Sequence, residues 1–157
     1  MSDDCGNRGK ADPEPRTAGW GATTRRAPFT GPQAELTGAI VGAFYRAYNR
    51  LDYGFLEHVY LEAMVIELEK LGLRVRAEAP IDVWYDGKRI AVYRADLLVE
   101  ESIVVELKSS HSLDAAAKRQ LLNYLRCTDI EVGLLLHFGP KPSVKRLVHT
   151  RNIGRPA

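Results

Sequence analysis

The fold is decided by the stretch YRADLLVEESIVVELK, residues 93–108. Valine, isoleucine and leucine fill two runs on either side of Glu100-Glu101-Ser102, a pattern that predicts two strands joined by a tight acidic turn. Alternate residues of a strand point to the same face, so Glu106 and Lys108 share one face of the second strand. If the hairpin pairs around the centre of its turn, Asp96 lies near the opposite position on the first strand.

These charged residues interrupt an apolar sheet, and their spacing predicts a metal site. Two carboxylates and one ammonium would converge there, although charged side chains are seldom buried unless they are paired or bound to a metal. Two nearby acids repel each other, and carboxylate oxygens suit a hard cation such as Mg²⁺ or Mn²⁺. The alternative is that Asp96 pairs with Arg94 at a strand end, while Glu106 and Lys108 form an exposed pair of little energetic consequence.

The rest of the sequence predicts an α/β fold with a mixed central sheet flanked by α-helices. A crossover helix after Lys108 implies one parallel strand pair, and Ser112 is a candidate N-cap for that helix. The Asp86-Gly87 dipeptide between apolar runs predicts a second hairpin turn. Residues 103–108 form the most hydrophobic strand, which is expected at the centre of the sheet. Helices are expected at about 33–49, 55–71 and 113–127, and the other strands within about 74–78, 81–85, 89–99, 131–138 and 144–149.

Composition limits the class of protein. With 157 residues, 45% of them hydrophobic, the chain supports one domain with a substantial core, and no apolar run reaches the roughly 18 residues of a membrane span. The first residues lack a signal-peptide pattern, and Cys5 and Cys127 favour a reduced protein in the cytoplasm. The net charge of +2 gives no argument for nucleic acid from bulk charge. The expected organisation is a disordered tail at 1–32, one domain at 33–151 and a frayed end at 152–157.

Two motifs carry a resemblance to a known family. Ala95-Asp96, a gap of nine residues and then Glu106-Leu107-Lys108 resemble the catalytic signature of the PD-(D/E)XK nuclease superfamily, with Ala95 where that signature has proline. Upstream, GFLEHVY at residues 54–60 resembles the motif that names the GxxExxY protein family, a branch of the same superfamily. The likeness runs from about residue 34 to about residue 151.

This resemblance implies a restriction-endonuclease-like core and a metal-dependent nuclease that hydrolyses phosphodiester bonds in DNA or RNA, with Mg²⁺ or Mn²⁺ as cofactor. Asp96 and Glu106 would hold the cation, and Leu107 could add its backbone carbonyl. Lys108 would orient the attacking water or stabilise charge on the phosphate, and its pKa decides whether it can act as a base. From spacing alone Glu57 is an exposed acid favoured by a helix dipole, but in the family the motif glutamate joins the metal site.

Another motif lies on the predicted helix after Lys108. Gln120 and Tyr124 form a Q-x-x-x-Y pattern that resembles a branch including the nuclease domain of the bacterial recombination-repair helicase–nuclease. In that branch the two side chains lie beside the metal site and help to position the DNA or the catalytic groups. The alternative is that Tyr124 packs in the core and Gln120 caps a backbone group. The same helix carries basic residues suited to phosphate contacts, with a solvated basic face as the alternative; they are Lys118, Arg119 and Arg126.

Two other functions stay open at this point. A non-catalytic nucleic-acid-binding or assembly module would keep the fold and use the basic helix for contacts. A homodimer is a further alternative, since many nucleases of this fold pair up, whereas no membrane partner is expected. The N-terminal tail could also bind nucleic acid through Arg25 and Arg26, although short charge clusters are usually only solvated.

Overall fold

The computed structural model describes residues 29–150. Most of the expected N-terminal tail, including Arg25 and Arg26, lies outside the described residues, as do Arg151 and the expected frayed end at 152–157. Across residues 29–150, no helix is both long enough and apolar enough to cross a membrane. In chain order the elements are α1 (Ala34–Leu51), α2 (Glu57–Glu69), β1 (Val75–Tyr85), β2 (Lys88–Val99), β3 (Ile103–Lys108), α3 (Ala115–Cys127), β4 (Val132–His137) and β5 (Ser143–Val148).

The five strands form one mixed sheet in the order β1-β2-β3-β4-β5. The pairs β1–β2, β2–β3 and β4–β5 are antiparallel, because short turns join them. The pair β3–β4 is parallel, because α3 crosses over between the two strands. The expected α/β class, the central place of β3 and the single parallel pairing are therefore confirmed.

The central strand separates two hydrophobic cores. Ile103, Val105 and Leu107 pack with residues of α1 and α2 on one face of the sheet. Val104 packs with α3 on the other face. A Cβ atom added to Gly133 in β4 would lie 2.8 Å from the Leu121 Cδ1 atom of α3, so the glycine allows the helix to approach the sheet closely. The charged residues at the end of β3 thus emerge between two well-packed layers.

Two local expectations need correction. The N-cap of α3 is Asp114 and not Ser112: the Asp114 Oδ1 atom accepts a hydrogen bond from the Ala116 amide at 2.9 Å. Both residue types cap helices well, so local preference alone does not choose between them. The segments expected at 74–78 and 81–85 form one continuous strand, which runs through Pro80. A proline is tolerated there because β1 lies at the edge of the sheet.

Candidate functional site

Strands β2 and β3 separate where the two central carboxylates stand. They pair at only three positions, the last of which joins Leu97 to Val105. The same register would next bring Asp96 opposite Glu106, as the hairpin pattern predicts. There the ladder ends, and the Asp96 Oδ2 atom instead accepts a hydrogen bond from the Leu107 amide at 2.6 Å. The Asp96 carboxylate therefore replaces a backbone partner and is fixed against β3.

Glu106 is an almost completely buried carboxylate with one unsatisfied oxygen. The residue is only 2% exposed. Its Oε1 atom accepts a hydrogen bond from the Lys108 Nζ atom at 2.7 Å. The Oε2 atom is buried and has no hydrogen-bond partner among residues 29–150. Burial, followed by repulsion from Asp96, raises the pKa of Glu106 to about 7, although Lys108 opposes the shift. A buried acceptor without a donor is rare and energetically costly, so this oxygen is a candidate position for binding a ligand.

Glu57 lies in the same electrostatic cluster. It is the first residue of α2 and is half-buried. Burial raises its pKa, Lys108 lowers it, Asp96 raises it, and the Ser109 backbone amide lowers it. The simple expectation of an exposed first-turn acid is therefore wrong, because the packing of α2 brings this carboxylate within reach of the charges on β2 and β3.

The residues around Glu57 explain why the GFLEHVY motif has its composition. Gly54 has a φ of +110°, a conformation that residues with a side chain rarely adopt. The Tyr60 hydroxyl donates a hydrogen bond to the Asp52 carbonyl at 2.7 Å, and the Tyr60 ring stacks on Phe138 with 4.2 Å between centroids. Glycine and tyrosine thus fix the turn that delivers Glu57 to the first turn of α2.

Lys108 is held in its charged form. Burial lowers its pKa, but the hydrogen bond and the negative charge of Glu106, with the charges of Glu57 and Asp96, outweigh this effect and raise the pKa above its ordinary value. A lysine whose pKa is raised does not take up a proton from water at neutral pH. In this arrangement its chemistry is that of a cation and hydrogen-bond donor, and not that of a general base.

The end of β4 supports the lysine from the neighbouring strand. Lys108 is in register with His137, whose Nε2 atom lies 2.7 Å from the Ser110 carbonyl oxygen in a hydrogen bond. A Cβ atom added to Gly139 would lie only 2.5 Å from the His137 Cε1 atom. His137 therefore occupies a tightly enclosed position, and it fixes the chain that leaves the charged end of β3.

The Q-x-x-x-Y residues also reach this region. The Gln120 Nε2 atom donates a hydrogen bond to the Tyr124 hydroxyl at 2.6 Å, and that hydroxyl donates to the Arg94 carbonyl at 3.0 Å. Burial raises the pKa of the Tyr124 hydroxyl, and the charges of Glu106 and Asp96 add to the shift. Tyr124 is thus a core residue whose hydroxyl lies near the carboxylates. Packing in the core and a position beside the site are therefore both true of it.

The three basic residues of α3 are all exposed, and none forms an ion pair with another residue of the described range 29–150. They do not occupy one face. Arg119 borders a pocket beside Gln120, and Arg126 follows it by seven residues, about two helical turns, on the same stripe. Lys118 lies two positions from Gln120, about 200° around the helix, and therefore on the other flank.

The net charge of the three carboxylates and Lys108 favours binding of a divalent cation, but their present positions do not form a metal site. Three ionised carboxylates against one ammonium would leave two negative charges, and Glu106 offers an oxygen without a partner in the range 29–150. Carboxylate oxygens are the donors that Mg²⁺ and Mn²⁺ prefer. Within residues 29–150, however, no group of three or more His, Cys, Asp and Glu side chains converges closely enough to hold a metal. Lys108 takes one Glu106 oxygen, so cation binding requires these side chains to rearrange.

Sequence reasoning missed three neighbours of the site. Glu78 of β1 adds a negative charge that raises the pKa of Asp96, after burial as the main cause. Glu78 has a φ of +50° within its strand, which no simple pattern announces. Tyr93 and Asn123 border the pocket beside Gln120. Asn123 lies three residues after Gln120, so helical spacing could have indicated it.

The match to a protein-family model agrees with this architecture. The model of the PD-(D/E)XK nuclease superfamily matches residues 34–147, which include every element from α1 to β4 and most of β5. The mixed sheet between helices is the restriction-endonuclease-like core expected from the motifs. The solved crystal structure of SSO0001 is 24% identical in sequence, with a TM-score of 0.45, over 76% of this chain and 55% of that one. The chain thus spans about half the length of SSO0001. No curated protein sequence matches.

Proposed function

The chain belongs to the PD-(D/E)XK nuclease superfamily, and from this we propose that it is a metal-dependent nuclease of the GxxExxY branch. It hydrolyses phosphodiester bonds in DNA or RNA. One observation carries the proposal: the buried Glu106 carboxylate stands beside Asp96 with an oxygen that no group in the described part of the chain satisfies. A protein has little reason to retain two repelling carboxylates between two apolar cores unless a cation joins them in function.

Oxygen donors in this proposal hold one Mg²⁺ or Mn²⁺ ion. The donors are Asp96 and Glu106, with the backbone carbonyl of Leu107 and, after rearrangement, Glu57. When bound, the cation neutralises charge that develops on the phosphate and makes water more acidic. The hydrogen bond from the Leu107 amide keeps Asp96 oriented toward β3, so this ligand needs little reorganisation.

The remaining side chains act on the phosphate and on the strand. Lys108 stays protonated and donates to an anionic oxygen, which stabilises the charge of the transition state. Tyr124 and Gln120 position the nucleic acid next to the carboxylates. Arg119 and Arg126, together with Lys118 on the other flank, contact backbone phosphates.

Metal binding and cleavage test the proposal together. Titration calorimetry with millimolar Mn²⁺ compares the wild type with Glu106→Gln, and the same proteins are incubated with single-stranded, duplex and branched DNA and with RNA. The matched control is Glu101→Gln, an exposed acid on the turn before β3. We expect Glu106→Gln to lose Mn²⁺ binding and cleavage and Glu101→Gln to keep both. Cleavage by folded Glu106→Gln at the wild-type rate would refute the assignment.

The second candidate is a non-catalytic nucleic-acid-binding or assembly module. It is favoured by the ion pair between Lys108 and Glu106, which partly neutralises the cluster without a metal. This function predicts steeply salt-dependent nucleic-acid binding that survives Glu106→Gln.

A homodimer is compatible with either function, and sedimentation velocity tests it. Cytoplasmic localisation also belongs to the proposal, since Cys127 is a free, half-buried thiol.

A further inference from the structure

A pocket opens between Tyr93 of β2 and residues of α3, and Tyr124 forms part of its wall. Its volume is about 260 Å³, which is slightly below the range of roughly 300–1,000 Å³ typical of sites for drug-sized ligands. The pocket is thus large enough for one flat ring system. The residues that border it are Tyr93, Ala116, Arg119, Gln120, Asn123 and Tyr124.

Aromatic groups form one side of this pocket. Tyr93 is 44% exposed, and its ring lies 5.9 Å from the Tyr124 ring, at an angle of 50°. Tyr124 itself is buried and tied to the Arg94 carbonyl. Tyr93 is therefore supported from the protein side by a fixed ring and retains exposed aromatic surface. Such surface accepts a stacked base without regard to its sequence.

Hydrogen-bonding groups of the pocket are left unused by the protein. Gln120 spends its Nε2 atom on Tyr124, while its carbonyl oxygen has no partner among the described residues. The Asn123 amide and the Arg119 guanidinium form no hydrogen bond within residues 29–150. Side-chain amides match the donor and acceptor pattern of base edges, and a guanidinium matches a phosphate.

We propose that this pocket receives one unpaired nucleobase, so that the substrate of the site is a single-stranded nucleic acid. The base stacks on Tyr93 and meets the amides of Asn123 and Gln120, and its phosphate lies toward the carboxylates. A base inside a duplex is stacked between its neighbours and would have to be flipped out at a cost. This inference rests on the proposed nuclease function, because the pocket gains its meaning from the adjoining Asp96 and Glu106.

The test measures binding in EDTA, where metal-dependent cleavage cannot occur. Fluorescence anisotropy follows the full chain with a labelled DNA of about 12 nucleotides, within the usual site sizes of single-strand binders. The same sequence is presented as a duplex, as RNA and with abasic positions. We expect Tyr93→Ala to weaken single-strand binding roughly 5- to 150-fold, the range of one lost stacking contact. Tyr93→Phe keeps the ring and should stay within about twofold of the wild type.

Two further variants make the result specific. Tyr85→Ala removes a more exposed tyrosine, 73% exposed, from the tip of the same hairpin, and it should leave binding unchanged. Asn123→Ala should weaken binding to the intact strand but not to the abasic strand. RNA that binds as tightly as DNA would identify the base and not the sugar as the recognised group. Equal affinity for duplex and single strand, or for intact and abasic strands, would overturn the inference.

The nuclease and the pocket can fail separately. If Tyr93→Ala loses single-strand binding but the wild type cleaves nothing with Mn²⁺, the pocket stands and the nuclease function falls. If the wild type cleaves with Mn²⁺ but Tyr93→Ala binds single strands as the wild type does, the nuclease stands and the pocket falls. Circular dichroism of each variant excludes misfolding as the cause of a loss.

Discussion

Replacing Glu106 by glutamine should make the metal-free protein respond differently to pH. The carboxyl of Glu106 has a pKa of about 7 in the folded chain, against 4.5 for the free side chain. Between these pH values the folded state holds a proton that the unfolded state has released. The free energy of unfolding therefore falls as pH rises through this window, because the folded state binds more protons than the unfolded state does.

The size of this effect follows from the shift in pKa. A difference of about 2.5 pKa units corresponds to about 3 kcal/mol of unfolding free energy. Glutamine cannot ionise, and it keeps a carbonyl for the Lys108 hydrogen bond. Asp96 and Glu57, whose pKa values are also raised, remain in both proteins. Any constant cost of the new amide is the same at every pH, so the change with pH reports the titration of Glu106 together with its coupling to Asp96 and Glu57.

The assay is urea unfolding followed by circular dichroism, in EDTA, from about pH 4.5 to about pH 8. The free energy of unfolding of Glu106→Gln minus that of the wild type should rise by about 3 kcal/mol across this range. Glu101→Gln, which changes an exposed acid, is the matched control and should not show this rise of about 3 kcal/mol. A flat difference for Glu106→Gln would refute the reasoning, because it would mean that Glu106 titrates normally. Millimolar Mn²⁺ should stabilise the wild type at pH 8 and leave Glu106→Gln unchanged.

Three further substitutions test the framework around the site. Gly139→Ala should destabilise the protein by about 1–3 kcal/mol in thermal unfolding, since its Cβ atom would meet the His137 ring at 2.5 Å. In the same assay, Gly38→Ala should stabilise the protein by up to about 1 kcal/mol, because a Cβ atom at this position of α1 meets open space. Asp114→Ala should cost about 1 kcal/mol through the lost helix cap, as measured by urea unfolding, and Asp114→Asn should recover most of it. Glu67→Gln should destabilise the protein more at pH 7 than at pH 4, because hydrogen bonds from nearby cations lower the pKa of Glu67 and stabilise only its ionised form; equal losses at both pH values would contradict this.

The arrangement of Asp96 and Glu106 could be predicted because two simple rules fix it. Alternation along a strand sets which residues share a face, and a tight turn sets the register of the hairpin. The confirmed pairing of Val99 with Ile103 places the centre of the turn at Glu101. No distant contact is needed for this part of the prediction.

Other features depend on tertiary packing and could not be predicted in the same way. The burial of Glu57 requires α2 to lie across the end of the sheet. The pocket at Tyr93 exists because residues of α3 lie beside this residue of β2 in the folded chain. The positive φ of Glu78 falls where the β1–β2 ladder leaves the position opposite Asp96 unpaired. These facts follow from how the layers meet, and a pattern within one element does not contain them.

The short pairing between β2 and β3 divides the site between two mechanical parts. Asp96 and Tyr93 belong to the long β1–β2 hairpin. Within residues 29–150, the part of β2 before Leu97 pairs with β1 and not with β3. Glu106 and Lys108 belong to the central strand, which is clamped between two cores. We predict that a load applied to the exposed tip of the hairpin at Trp84 is carried along β2 to Asp96, while the central strand holds Glu106. The hydrogen bond from the Leu107 amide to Asp96 is then the contact that keeps the two carboxylates at their spacing.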